Sequence, residues 1–303
     1  MEKYDTLVCS GNSTNVVTTL GALQYCHEQD CLTHITCYIG TSSGAIVSLL
    51  LLVGYTPLDI ITYLCVEQVY KKVGQYNLSN LILANKALMN FKDIHQTIGD
   101  MIIEKLGKIP TLKELEDHTG KRLITTTYNL TDDQLEYISS QTYPDVLVTD
   151  AITMSSTFPL VFEPFQYENK LYWDGGLADN FPIELGQKMG KQCLGIITIN
   201  PIPNYDSNMN LLTKMIMAAQ VPIKNVALEK IRRTQCDILM LKIPLNFFNF
   251  TSSNKDLLIM FDKGYALCKQ QILEVGFKCL DERQKYTHLY TTTRNDNIHD
   301  PSK

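Results

Sequence analysis

Charge is what this sequence has least of. Asp, Glu, Lys and Arg together make up 19% of its 303 residues, below the quarter usual in soluble domains. A basic excess is missing as well: 27 Lys and Arg against 32 Asp and Glu leave a net charge of −5. Without a positive field nothing draws the chain to phosphate polymers in general, so no nucleic-acid partner is expected. The nine cysteines include no CxxC pair and no zinc-ligand spacing. That pattern argues against a metal ribbon or a disulfide scaffold and predicts buried thiols in a reducing cytoplasm. Neither a metal nor a cofactor is expected. Internal repeats, low-complexity tracts and clear linkers are also missing, so one domain is the simplest organisation.

The opening residues Met1-Glu2-Lys3-Tyr4-Asp5 have no apolar stretch behind them, and a secretory leader is not expected. The sequons at Asn12, Asn77, Asn129 and Asn249 are accordingly read as chance matches. Apolar runs fall short of membrane length. Residues 31–58 contain no charged side chain, a stretch of 58 − 31 + 1 = 28 residues. Its helical part, Ala45–Tyr55, reaches only about 16 Å at 1.5 Å per residue, roughly half a bilayer core. Preceded by the turn Gly40–Gly44, it reads as a buried strand–turn–helix, not as a single-pass span.

What is present is apolar bulk, 45% of the chain, arranged as alternating strand and helix patterns. Strands are predicted at Asp5–Ser10 and His34–Ile39, with a helix from Val16 to Glu28 between them and another after the Gly40–Gly44 turn. Thr56-Pro57 opens a further helix, and helical patterns continue to about Leu115. Strands follow at Lys121–Tyr128 and Gln134–Ser139, a helix at Asp145–Ser155, and strand-like runs at Val161–Phe165 and Leu171–Trp173. Cys193–Ile199 and Ile238–Ile243 read as strands, Met209–Arg233 and Leu257–Val275 as helices. This is the order of an α/β domain over residues 1–280 with a polar tail at 281–303. The basic residues Lys224, Lys230, Arg232 and Arg233 read as a solvated helix face. Leu211, Leu212, Met215 and Met217 read as core, as does the run Phe247-Phe248-Asn249-Phe250.

Chemistry points to Gly40-Thr-Ser42-Ser-Gly44. A serine between an apolar strand and a helix, with glycine two residues away on each side, can sit on a sharp turn that exposes its hydroxyl. The following helix turns its amide-rich end toward the site and favours developing negative charge. The base is less obvious. None of the six histidines has a motif around it, and only one strand precedes the elbow strand, too few for an α/β-hydrolase triad. Asp174 is the alternative: an apolar strand, Leu171-Tyr-Trp, delivers it directly into Gly175-Gly176.

Three stretches resemble patatin-like phospholipases, lipid acyl hydrolases with a Ser–Asp dyad. They are Gly40–Gly44 with Ala45, the segment Ala151–Pro164, and Asp174-Gly175-Gly176 with Asn180 and Pro182. The resemblance covers roughly residues 5–190. It implies a three-layer sandwich around a mostly parallel sheet, with Ser42 as nucleophile and Asp174 as its base, 174 − 42 = 132 residues apart. It also implies an acyl-lipid substrate met at a membrane surface, hence peripheral membrane association. The loop after the first strand departs from the family pattern G-G-G-x-[K/R]-G. Here it is Gly11-Asn12-Ser13-Thr14-Asn15-Val16, so one glycine survives and Asn15 replaces the basic residue. Two outcomes stay open: Gly11 and Asn12 still donate amides to an oxyanion, or the chain is a weak or inactive lipid-binding relative.

Overall fold

The structure, a computed structural model, describes residues 4–69, 89, 91–199, 209, 211–243 and 252–275. The polar tail, the 247–250 aromatic run, Cys279, His288, His299 and the sequons at Asn77 and Asn249 lie outside these residues. The chain opens β1 (Thr6–Cys9), a short 3-10 turn (Ser13–Asn15), α1 (Val16–Glu28), β2 (Cys37–Thr41), α2 (Ser43–Leu52) and α3 (Pro57–Val66). β2 starts three residues later than the apolar run from His34 suggests. The Thr36 and Cys37 amides both donate to the Asp5 carbonyl at 2.9 and 3.1 Å, so the ladder begins only where β1 does.

Helix ends follow from local chemistry. Thr56 and Asp59 form a reciprocal capping box with Pro57 in the first turn of α3. Thr111 and Glu114 form a second such box at α5 (Leu112–Thr119), which follows α4 (Lys92–Leu106). Nearly all of α2 is buried. No single helix among the described residues is long and apolar enough to cross a membrane. α2 and α3 reach the required length and composition only as a pair bent by 115°.

The remaining elements are β3 (Arg122–Asn129), β4 (Gln134–Ser139), α6 (Val148–Ser156), β5 (Phe165–Tyr167), β6 (Lys170–Asp174), α7 (Gly176–Asp179), α8 (Ile183–Met189), β7 (Cys193–Ile199), α9 (Leu211–Arg233), β8 (Asp237–Lys242) and α10 (Asn254–Val275). The sheet runs β5-β6-β3-β2-β1-β7-β8, with β4 also on β3. β3, β2, β1, β7 and β8 are parallel, and β4, β5 and β6 pair antiparallel. The apolar stretch predicted as a strand at Val161–Phe165 is a strand only from Phe165. Val161 and Phe162 instead fold under α4, where the Phe162 ring meets Phe91 edge to face at 5.1 Å.

Side chains alternate across the sheet as a period of two requires. Leu7 and Cys9 join one apolar cluster with α1–α4, α6 and α10. Val8 joins the other, with Phe181, Ile183 and α9. Helices therefore cover both faces, giving the three layers expected above. Two helices of the first layer, α1 and α10, cross very closely. A Cβ on Gly21 would sit 1.9 Å from the Phe261 carbonyl oxygen, and one on Gly264 1.9 Å from that of Thr18. Backbone cannot yield as a flexible side chain can. Gly264→Ala is expected to lower stability by about 2 kcal/mol, despite alanine's better helix propensity. Urea unfolding reads this directly; an unchanged or raised midpoint would refute the close crossing.

Candidate active site

Ser42 occupies the turn between β2 and α2 with φ 55° and ψ −128°, a left-handed conformation unusual for a residue with a Cβ. The flanking glycines permit it. A Cβ on Gly40 would lie 2.5 Å from the Ala45 backbone, and one on Gly44 2.4 Å from the Cys9 carbonyl. Ser42 is also held through its amide, which donates to Ser155 Oγ at 2.9 Å, while that hydroxyl donates to the Thr126 carbonyl at 2.6 Å. Ser155 is completely buried. Sequence reasoning quoted it within a resembling segment but gave it no task.

Asp174 ends β6 opposite Thr127, one residue along β3 from the Thr126 that faces Thr41. It is 2% exposed. Its carboxyl accepts the Gly176 amide at 2.7 Å, and the Ser42 side chain borders the same cavity beside it. Burial pushes its pKa up to about 7, and the nearby Ser42 hydroxyl and the Gly176 amide pull only partly against it. Gly175 passes so close to β3 that a Cβ would be 2.2 Å from the Thr126 carbonyl. Ser42, Asp174, Gly11, Asn12 and Gly176 thus border one cavity. No histidine lines it among the described residues.

The loop after β1 keeps a glycine-like path with other residues. Ser13, at a position where the resembling pattern has glycine, takes φ 52°. Gly11 is required by contact, since a Cβ there would be 2.6 Å from Asn180 Oδ1 and 3.0 Å from Ser42 Cβ. The amides expected to serve an oxyanion are already engaged. Gly11 donates to the Asn180 carbonyl at 3.3 Å and Asn12 to Ser43 Oγ at 3.1 Å. Asn180 Nδ2 in turn donates to the Gly11 carbonyl at 2.9 Å. The Asn12 side chain is 3% exposed and is bound to Thr19, Thr198 and Ser43. Asn15, in place of a basic residue, is buried with its Nδ2 unpartnered. The Ser13 amide makes no hydrogen bond among the described residues.

The cavity itself is apolar, with a volume of about 180 Å³. Leu20, Ile46, Leu50, Ile60, Ile98 and Phe158 contribute to its wall. Behind the Asp174 turn lies a second carboxylate with a different fate. Asp179 is 2% exposed and pairs with Lys230 Nζ at 2.7 Å, and Tyr137 Oη donates to it at 2.8 Å. The reading of Lys230 as part of a solvated face is therefore corrected: it ties α9 to the segment carrying Asp174. Arg232 and Arg233 do lie at the surface and pair with Glu229. Leu211 and Met215, expected in the core, are 73% and 45% exposed because α9 turns that face outward.

A family model described as patatin-like phospholipase matches residues 7–186. The chain is 32% identical over 190 residues to "Probable lipid hydrolase 463L" of Invertebrate iridescent virus 6, covering 61% of this chain and 64% of that protein. It therefore spans just under two thirds of that relative. It is 24% identical over 262 residues to "Uncharacterized protein R571" of Acanthamoeba polyphaga mimivirus, covering 78% and 82%. Among solved structures, VipD from Legionella pneumophila superposes with a TM-score of 0.53 at 17% identity, over 89% of this chain and 66% of that one.

Two variants test this electrostatic arrangement. Lys230→Ala leaves the Asp179 carboxylate buried without its cation, and is expected to cost about 3 kcal/mol in unfolding measurements; a loss below the scatter of surface mutations would contradict the buried pairing. For Asp174 the folded pKa of about 7 exceeds the ordinary 3.8, so its ionisation weakens the fold as pH rises. Wild type and Asp174→Asn should differ little in this respect below pH 4. The variant should then gain on wild type between pH 4 and 7 and hold a constant lead above. A stability difference that does not vary with pH would show that the carboxyl is not held neutral by burial.

Proposed function

Since the chain belongs to the patatin-like phospholipase family, we propose that it hydrolyses carboxylic esters of phospholipids or other acyl lipids through Ser42 and Asp174. The observation that carries this reading is a strained elbow serine and a buried carboxyl side by side at the wall of one apolar cavity. Ionised Asp174 takes the Ser42 proton as Oγ attacks the ester carbonyl. The carbonyl–oxygen bond to the leaving alcohol then breaks, the alcohol takes that proton, and the acyl group remains on Ser42. Water, deprotonated by Asp174, releases the fatty acid and restores the serine. An ordinary Asp is a weak base at neutral pH, whereas a carboxyl with a pKa of about 7 is matched to it. The apolar wall accepts the acyl chain, and the α2 N-terminus faces the developing charge.

The oxyanion donor we assign is the Ser13 amide. Those of Gly11 and Asn12 can join it only by releasing the Asn180 carbonyl and Ser43 Oγ. Each missing donor slows the reaction on the order of 10²–10³-fold. These engaged amides favour a second reading, a lipid-binding relative with little turnover. Encounter with substrate at a membrane surface is part of the proposal in both cases.

Fatty-acid release from phospholipid vesicles by wild type, Ser42→Ala and Asp174→Asn separates the two. Hydrolysis predicts that each variant loses on the order of 10³-fold. Equal background release by all three, with no fluorophosphonate labelling of Ser42, would leave the binding reading. Where turnover is present, kcat should rise with pH through a midpoint of about 7, because only ionised Asp174 can accept the proton. A profile that falls across that range would reject Asp174 as the base.

A further inference from the structure

A smaller cavity lies on the other side of the loop after β1. Its volume is about 50 Å³, room for roughly three or four water-sized groups by the one-probe criterion. Gly11, Asn12, Asn180, Thr198, Gln220 and Lys224 are among its lining residues. Gly11, Asn12, Asn180 and Gln220 also border the cavity that contains Ser42, so the two spaces share a wall.

Two of these side chains carry a polar group without a partner among the described residues. Gln220 is 8% exposed and its Nε2 has no hydrogen-bond partner, a costly state for a buried donor unless something enters to accept from it. Lys224 follows four residues later on α9, on the same helix face, and makes no ion pair among the described residues. Among the described residues, the nearby acids Asp179 and Glu184 are engaged elsewhere, both facing Lys230, at 2.7 and 3.9 Å. An amide donor and an ammonium without an ion pair among the described residues, at a small space otherwise walled largely by Ile197, Ile199, Ile223 and Ala227, suit a tetrahedral anion.

We propose that this side cavity binds phosphate, and that its ligand is the headgroup phosphate of a glycerophospholipid whose acyl chain lies in the apolar cavity. Gln220 rotates its amide toward a phosphate oxygen, and Lys224 supplies the positive charge that Asn15 no longer brings to the neighbouring loop. This assignment rests on the proposed lipid substrate but not on turnover.

Calorimetric binding to the Ser42→Ala protein tests it without chemistry. The ligands are soluble dihexanoylphosphatidylglycerol, neutral dihexanoylglycerol and inorganic phosphate. The phosphatidyl ligand is expected to bind about tenfold tighter than the neutral one. Lys224→Ala and Gln220→Leu should each erase that preference, while Lys224→Arg should keep most of it. Equal affinity for the two lipids, or a preference untouched by Lys224→Ala, would overturn the subsite. Inorganic phosphate binding as tightly as the phosphatidyl ligand would overturn the headgroup assignment in favour of a free anion. Absence of ester hydrolysis by wild type would sink the hydrolase reading while leaving this binding result to stand or fall alone.

Discussion

One edge of β3 organises the site. β2 pairs along it as far as Thr126, and β6 takes over at Thr127 from the opposite direction. β4 occupies the other edge over Ile124–Asn129, so β2 and β6 must share the first. Thr41 and Asp174 therefore stand at consecutive register positions, and the chain leaves β2 through Ser42 just where β6 delivers its carboxyl. Ser155 reinforces the junction by holding the Ser42 amide and the Thr126 carbonyl together. Backbone hydrogen bonds, which allow little latitude in spacing, thus set the distance between two residues far apart in sequence.

The same segment treats two buried carboxylates oppositely. Asp179 has Lys230 and Tyr137 around it, which compensate the loss of hydration. Asp174 has the Gly176 amide and a neighbouring serine hydroxyl but no ion pair among the described residues, so burial dominates and its pKa climbs. The first arrangement fixes the Gly176–Asp179 turn to α9; the second keeps a carboxyl close to neutrality at its end. Nearby, side chains do work that glycines do elsewhere in the family pattern. Asn12 is bound into Ser43, Thr19 and Thr198, and Ser13 accepts a positive φ. The loop keeps its course past Ser42, but two of its amides are committed in the process.

Much of this is legible in the sequence alone. Ser42 and its glycines carry a local signature because a sharp strand-to-helix turn leaves no room for side chains at positions 40 and 44. Asp174 was legible through the resemblance, because an aspartate running into Gly175-Gly176 is by itself a common turn pattern. Val161–Phe162 was misread because a short apolar run looks alike as a strand and as a loop packed beneath a helix. Lys230 was misread because a lysine's partner on another element leaves no local trace. The same holds for the amides of Gly11 and Asn12, whose acceptors are Asn180 and Ser43.

The order of strands and helices, the elbow serine and the aspartate at a strand end were determined by the sequence itself, through periodicity, capping and turn chemistry that act over a few residues. Which edge of β3 receives β6, how closely α1 and α10 approach at Gly21 and Gly264, and which buried charge gains a cation were decided only by tertiary structure. Those outcomes depend on contacts between segments remote in the chain, where burial and hydrogen-bond partners are assigned by packing and not by neighbours in sequence.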